Sequence, residues 1–284
     1  MRPKRLEPHW RNRRWRRAPT RSSPRCKTEP VSGRLKGQRI LVTRPRPFNE
    51  EACERIRDEG GDAIALPTLV IEAQTARAPA TDYDWIIFVS RNAVLHGLAQ
   101  LLQAPPFPRL AAVGGATATE LEQHGMEGVL RPTSGFTSEA LLECAELNDV
   151  AGKRILIVRG NGGRELLATT LGERGAQIDY AEVYRRVRAR PSAARLAEMR
   201  RLLAAATIDF VMVGSVEILD ALIALLGPPA KALLTRTRLV TASERVVKKA
   251  ESLGLGRRIL LASGPQDALL VDTIANEPAA EDTT

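Results

Sequence analysis

Small polar and basic residues gather where short apolar runs of this chain stop. They are Thr43-Arg44-Pro45, Ser90-Arg91-Asn92, Gly114-Gly115-Ala116-Thr117, Ser138, Arg159-Gly160-Asn161, Gly214-Ser215 and Ser243-Glu244-Arg245. Hydroxyls, guanidinium groups and helix amino termini of this kind hold anionic groups through N–H and O–H donors. Read singly, each Ser or Thr is a helix N-cap, a position these residues dominate. Their recurrence at seven strand ends points instead to a ligand with many anionic groups. The candidate binding residues are Arg44, Ser90, Asn92, Thr117, Ser138, Arg159, Gly160, Ser215 and Ser243. Tyr184, near the end of another apolar run, reads from the sequence alone as a core aromatic with its hydroxyl at an edge.

What is absent narrows the chemistry. His9 lies in a basic tail, and His96 and His124 fall inside helical patterns. Cys26, Cys53 and Cys144 are spaced too widely for a disulfide framework or a metal site. No G-x-x-x-x-G-K-[ST] sequence occurs, and Arg159–Arg164 has glycines but not in G-x-G-x-x-G order. The expectation is a site without metal or cofactor.

Positioning these residues requires strand ends. Ile155–Val158 is an apolar run of strand length that stops at Arg159-Gly160-Asn161-Gly162-Gly163; Leu166, Leu167, Thr170 and Leu171 then recur at helical spacing. A second strand spans Gln177–Arg186. This β-loop-α-β unit, Gly152–Arg186, has a counterpart 115 residues upstream: GQRILVTRP (Gly37–Pro45) aligns with GKRILIVRG (Gly152–Gly160), and Gly60 with Gly175. Asp84–Ser90 likewise resembles Asp209–Ser215, and Arg109–Gly125 resembles Arg238–Gly254. The chain therefore reads as two copies of one α/β module, each with a parallel sheet covered on both faces.

Local signals give further expectations. Order begins at Gly37; Asn49 caps a helix ending at Gly60, and one strand lies near Ala63–Ile71. A loose segment with Pro79 follows, and Pro105, Pro106 and Pro108 break the helix after Ser90. Ser138 caps a helix over Glu139–Glu146, Ser243 caps another, and Val187–Pro191 is a basic connector. The opening β-α-β is too small to enclose a core, so residues 37–72 must be completed from elsewhere in the chain. The expected domains are 37–72 with 190–276, and 82–185.

The net charge of +9 belongs to one end. Residues 1–36 carry 13 Lys/Arg against Glu7 and Glu29, whereas the remainder carries 29 Lys/Arg and 31 Asp/Glu, a net −2. Residues 1–36, with Trp10 and Trp15 among the arginines, read as a disordered basic tail, and 277–284 as a disordered end. Sparse cysteine, no apolar run of membrane-spanning length and no secretory leader point to the cytoplasm.

The motifs resemble those of the uroporphyrinogen-III synthase family. They are LVTRP (Leu41–Pro45), FVSRNAV (Phe88–Val94), AVGGATATELEQHG (Ala112–Gly125), TSEALL (Thr137–Leu142), ILIVRGNGGRELL (Ile155–Leu167), VYRR (Val183–Arg186) and ASERV (Ala242–Val246), in family order. One departure is Val213-Gly214-Ser215-Val216, where the family more often carries a Thr-Ser pair, so position 214 brings no hydroxyl. The resemblance implies two similar α/β domains joined by a two-stranded linker, with the active site in the cleft. It implies hydroxymethylbilane as substrate, a linear tetrapyrrole polycarboxylate closed with ring D inverted and water lost. It also implies Tyr184 as a proton donor bordering that cleft, with no cofactor or metal. A monomer is expected, with no nucleic-acid or membrane partner. Two other readings remain open from the residues alone: a non-catalytic two-lobed receptor for an anionic metabolite, and a nucleic-acid binder acting through the tail.

Overall fold

The computed structural model describes residues 33–76, 82–102, 107–256 and 258–277. Most of the basic tail, the segment around Pro79, Pro105-Pro106 and the acidic end from residue 278 lie outside the described residues. The chain alternates strands and helices as its periodicity requires. In order these are β1 (Arg39–Val42), α1 (Phe48–Asp58), β2 (Asp62–Ala65), β3 (Leu69–Ala73), β4 (Trp85–Phe88), α2 (Arg91–Leu101), β5 (Arg109–Ala112), α3 (Gly115–Gln123) and α4 (Ser138–Leu142). The second half supplies β6 (Arg154–Gly160), α5 (Leu166–Glu173), β7 (Gln177–Arg188), α6 (Ala193–Ala204), β8 (Phe210–Met212), α7 (Val216–Leu226) and α8 (Ala230–Thr235). It ends with β9 (Arg238–Thr241), α9 (Glu244–Ser252), β10 (Arg258–Leu261) and α10 (Asp267–Ala275).

Two five-stranded sheets result, ordered β10-β9-β8-β1-β2 and β3-β7-β6-β4-β5. The first is parallel throughout. Its core follows from the period of two along a strand. Ile40 and Val42 face a cluster with Ile56 of α1 and Ile274 of α10, while Leu41 faces one with Met199 of α6 and Leu222 of α7. Apolar residues on both sides explain the near-continuous hydrophobic strand. The second sheet divides in the same way: Ile86 and Phe88 pack with Val94 and Leu121, Trp85 and Ile87 with Leu141 and Leu171.

The halves share local detail. Asp209 Oδ2 accepts the Arg39 N–H at 2.7 Å, and Asp84 Oδ2 accepts that of Arg154 at 2.9 Å. The Asp62 N–H to Gln38 carbonyl bond at 2.8 Å has its counterpart in Gln177 to Lys153, also 2.8 Å.

Several expectations need correction. The single strand near Ala63–Ile71 is two strands in different sheets, parted at Pro67, which has no N–H for a ladder. β3 pairs antiparallel with β7, from Leu69↔Arg188 to Ala73↔Tyr184, so the second sheet is mixed and the 37–72 boundary falls inside it. Val187 and Arg188 of the basic connector are the end of β7. Order begins before Gly37: Leu35 is fully buried, and Arg34 pairs with Glu59 and Asp272. Glu277 pairs with Arg258 at 2.8 Å, so the carboxyl end is anchored to that point. Asn49 is inside α1, buried, and Pro47 holds the cap position. α8 follows Pro228-Pro229, with Pro229 in its cap position; Pro is favoured at a helix start as well as after an end. Among the described residues no helix is long and apolar enough to cross a membrane.

Candidate functional site

The site is assembled by two strands of the second sheet and the helix after a third. β6 ends at Gly160 and β7 passes beside it, with Gly160 opposite Tyr184 after a shift in register. A Cβ at Gly160 would stand 2.5 Å from Tyr184 Cε2, so only glycine leaves room for this ring. Tyr184 is 2 % exposed, deeper than a residue bordering a cleft, which corrects that expectation. Its hydroxyl nevertheless reaches the carboxyl end of β4, where Ser90 Oγ lies 3.1 Å away. Ser90 is extended (φ −164°, ψ 162°) and caps α2 by accepting the Ala93 N–H at 3.2 Å. Arg186 follows Tyr184 by two residues on β7 and therefore shares its face; Arg186 Nη1 donates to the phenolic oxygen at 3.5 Å. His96 stacks obliquely on the tyrosine ring at 5.9 Å, and burial pushes its pKa down.

Asn92 lies in the first turn of α2 with its Oδ1 buried and unbonded among protein groups. Thr117 is buried in the first turn of α3. Ser138 opens α4, but the cap is Thr137, whose hydroxyl accepts the Ala140 N–H at 3.3 Å. This helix ends at Leu142 and a separate 3-10 turn covers Ala145–Leu147, so the single helix over Glu139–Glu146 is not formed.

At the first sheet, Ser215 caps α7 as expected, accepting the Ile218 N–H at 3.2 Å. Ser243 occupies the cap position of α9 without a side-chain cap bond. Arg44 lies two residues beyond β1 and faces Asp267 Oδ1 at 2.7 Å; this is an ion pair off hydrogen-bond direction, leaving that oxygen unbonded. Arg44 also donates to the Pro265 carbonyl at 3.1 Å. Burial pushes the Asp267 carboxyl above its ordinary value.

Arg159 is held by neighbours within its own half of the molecule. It is inside β6, 12 % exposed, stacked 3.7 Å over Tyr180 and paired with Glu165 at 2.9 Å and Glu182 at 3.5 Å. Its guanidinium pairs with Glu182 of β7 and with Glu165 at the start of α5.

Contacts across the two sheets carry residues the sequence reading passed over. Arg91 of α2 makes a bidentate pair with Glu51 of α1 at 2.7 and 2.9 Å, reaches Glu120 of α3 at 2.9 Å and covers the Phe48 ring at 3.7 Å. Its hydrogen bonds hold the Glu51 carboxyl below the ordinary range. Arg186 Nε pairs with Glu217 of α7 at 2.8 Å, again off the N–H direction. Arg186 could have been found from its two-residue spacing to Tyr184; nothing local announces Glu51 as the partner of Arg91. Two concavities of about 660 Å³ open at the amino-terminal ends of strands instead, one beside Trp85 and Arg109 and one beside Arg39 and Asp62, away from these hydroxyls. Among the described residues no three His, Cys, Asp or Glu side chains converge as metal ligands.

Residues 50–271 match the family described as uroporphyrinogen-III synthase HemD. A uroporphyrinogen-III synthase of Escherichia coli is 35% identical over 243 residues, covering 81% of this chain and 98% of that protein. One from Salmonella typhimurium is also 35% identical, over 245 residues and the same shares. Among solved structures, a uroporphyrinogen-III synthetase from Helicobacter pylori superposes with a TM-score of 0.57 at 14% identity, covering 84% of this chain and 98% of the other. At that identity the likeness shows the fold, α/β with parallel and mixed sheets.

Proposed function

We propose, for a chain that belongs to the uroporphyrinogen-III synthase family, that it closes hydroxymethylbilane to uroporphyrinogen III with inversion of ring D and loss of water. The observation that carries this reading is the meeting of Tyr184 and Ser90 hydroxyls at the carboxyl ends of β4, β6 and β7. Ligands of parallel α/β sheets bind beyond such ends. Helix amino termini there, behind Ser90 and Ser215, suit the substrate's carboxylates.

The molecule reads as two copies of one α/β module, supported by the matching Asp84 and Asp209 bonds. Their link is the antiparallel pair of β3 with the end of β7. The substrate would lie in the cleft between the modules, touched by Arg44, Ser90, Asn92, Thr117, Ser138, Gly160, Ser215 and Ser243. The bilane closes unaided to the uninverted ring, so the protein's task is chiefly to hold the chain bent for attack by the correct carbon. Tyr184 supplies the proton that lets the hydroxyl leave as water. No cofactor enters this scheme, and the protein acts as a cytoplasmic monomer.

The test is the product isomer. Purified protein given hydroxymethylbilane should yield type III uroporphyrin in excess over type I. A type I product at the uncatalysed rate would overturn the assignment in favour of a receptor.

A further inference from the structure

We propose that Tyr184 acts through Ser90: a two-hydroxyl relay in which Ser90 is the catalytic residue that hands the proton to the leaving group and Tyr184 resupplies it. This rests on the reading of Tyr184 as proton source and adds the residue that touches the substrate.

Hydrogen-bond accounting sets the direction of the relay. The phenolic oxygen of Tyr184 has two side-chain partners, Ser90 Oγ at 3.1 Å and Arg186 Nη1 at 3.5 Å. A guanidinium only donates, so among the described side-chain partners Ser90 is the one that can accept the phenolic proton. Reversing that bond would leave a buried O–H unsatisfied, which is costly. Ser90 Oγ then accepts twice, from Tyr184 and from the Ala93 N–H. A serine hydroxyl has two acceptor lone pairs and one proton, so its own O–H is left to point outward. Tyr184 is 2 % exposed, whereas Ser90 is half-buried at the strand end. The tyrosine thus has the proton and the serine has the access.

In the step, the C–O bond of the hydroxymethyl group breaks with its electron pair on oxygen. That oxygen takes the Ser90 proton and leaves as water, while Ser90 takes the Tyr184 proton. The resulting phenolate is neutralised by Arg186. The proton released when the last pyrrole regains aromaticity after ring closure returns to Tyr184, so the cycle balances without a co-reactant. Arg186 is here a positioning residue, and its pair with Glu217 holds it against the ring from the other sheet.

The experiment measures kcat, KM and product isomer on hydroxymethylbilane for Ser90→Gly, Ser90→Thr, Tyr184→Phe and the Ser90→Gly/Tyr184→Phe double variant. Glycine is chosen because it keeps an N-cap to within a few tenths of a kcal/mol. Ser192→Ala, which removes the cap of α6 and none of the bonds of this cluster, controls for cap loss and should leave turnover unchanged. The relay predicts about a 10²-fold loss of kcat in each single variant. The double variant should be no worse than about threefold beyond either, since groups acting as one unit are not additive. Thr, which restores the hydroxyl, should recover most of kcat, a rescue that a purely structural serine role does not predict once Gly has folded normally. Normal kcat in Ser90→Gly with a slow Tyr184→Phe would overturn the relay and leave Tyr184 as a direct donor. Full kcat in Tyr184→Phe would overturn the Tyr184 reading itself. Losses multiplying toward about 10⁴ in the double variant would make the two residues independent and sink the relay. Should Ser90→Gly melt below the assay temperature, Ser90→Thr and Ser90→Ala decide in its place: equal turnover in the two overturns the relay, and turnover retained only in Thr supports it.

Discussion

Ser90 and Ser215 end equivalent strands and have nearly the same backbone, φ −164° and ψ 162° against φ −157° and ψ 162°. Each accepts the N–H three residues on at 3.2 Å. Only Ser90 has a phenol beneath it. The 115-residue offset carries Tyr184 to Leu69, which has already left the first sheet for β3. Arg44 and Arg159 diverge likewise. β1 stops at Val42, so Arg44 projects beyond the strand, while β6 continues to Gly160 and keeps Arg159 within the ladder. The first sheet carries an arginine paired with a half-buried carboxylate of α10; the second carries two hydroxyls 3.1 Å apart. The two strand ends carry the same caps, and strand length decides which side chains project beyond the ladder.

The largest expected effect tests the packing that sets this asymmetry. Gly160→Ala should displace the Tyr184 ring, costing about 1–3 kcal/mol of stability as overpacking does, a Tm lower by roughly 2–12 °C. Turnover should fall at least as far as in Tyr184→Phe, about 10²-fold. Wild-type melting and kcat together would show that the ring yields freely and that Gly160 does not hold it.

The two arginines should separate next. Arg44→Ala is expected to raise KM about tenfold, ~1.4 kcal/mol of binding, with a smaller change in kcat. Arg159→Ala should leave KM within about twofold and instead lower stability by about 1 kcal/mol, through lost stacking on Tyr180 and two ion pairs. Equal KM effects in the two variants would restore Arg159 to the binding set.

The smallest effect concerns two carboxylates that respond to pH with opposite sign, Glu51 at the contact between the sheets and Asp267 beside Arg44 at the first sheet. Glu51 is held below its ordinary value of 4.5 by Arg91. Its contribution is therefore present above pH 4.5 and is lost as pH falls through the lower folded value. Asp267 is raised by burial above 3.8, so its contribution is present below 3.8 and lost as pH rises through the folded value. Urea melts of Glu51→Gln should show a deficit of a few tenths of a kcal/mol at pH 7, small because Glu51 is half exposed. That deficit should shrink in acid. A deficit that grew in acid would break the assignment.

How much was legible depends on the range of the interaction. The alternation of strands with helices and the Ser90 and Ser215 caps follow from patterns within a few residues; the caps formed as read, and the alternation did so apart from the added β3 and α8 and the short α4. The capping serine in TSEALL was read one residue late, because Thr137 and Ser138 offer the same hydroxyl and only the entering chain direction chooses between them. Pro67 was visible, yet that it parts two sheets was not, because the strand that receives β3 lies at Tyr184–Arg188.

What the sequence by itself determined is the set of strand ends and the chemistry gathered at them, since the apolar period and the cap residues act locally. The tertiary structure alone decided which of those groups meet. Ser90 and Tyr184 are 94 residues apart, and Arg91 and Glu51 are 40 apart. The physical reason is burial. A phenol sealed against Gly160 must spend its proton on the one neighbour able to accept it, and that neighbour is fixed by packing between distant strands.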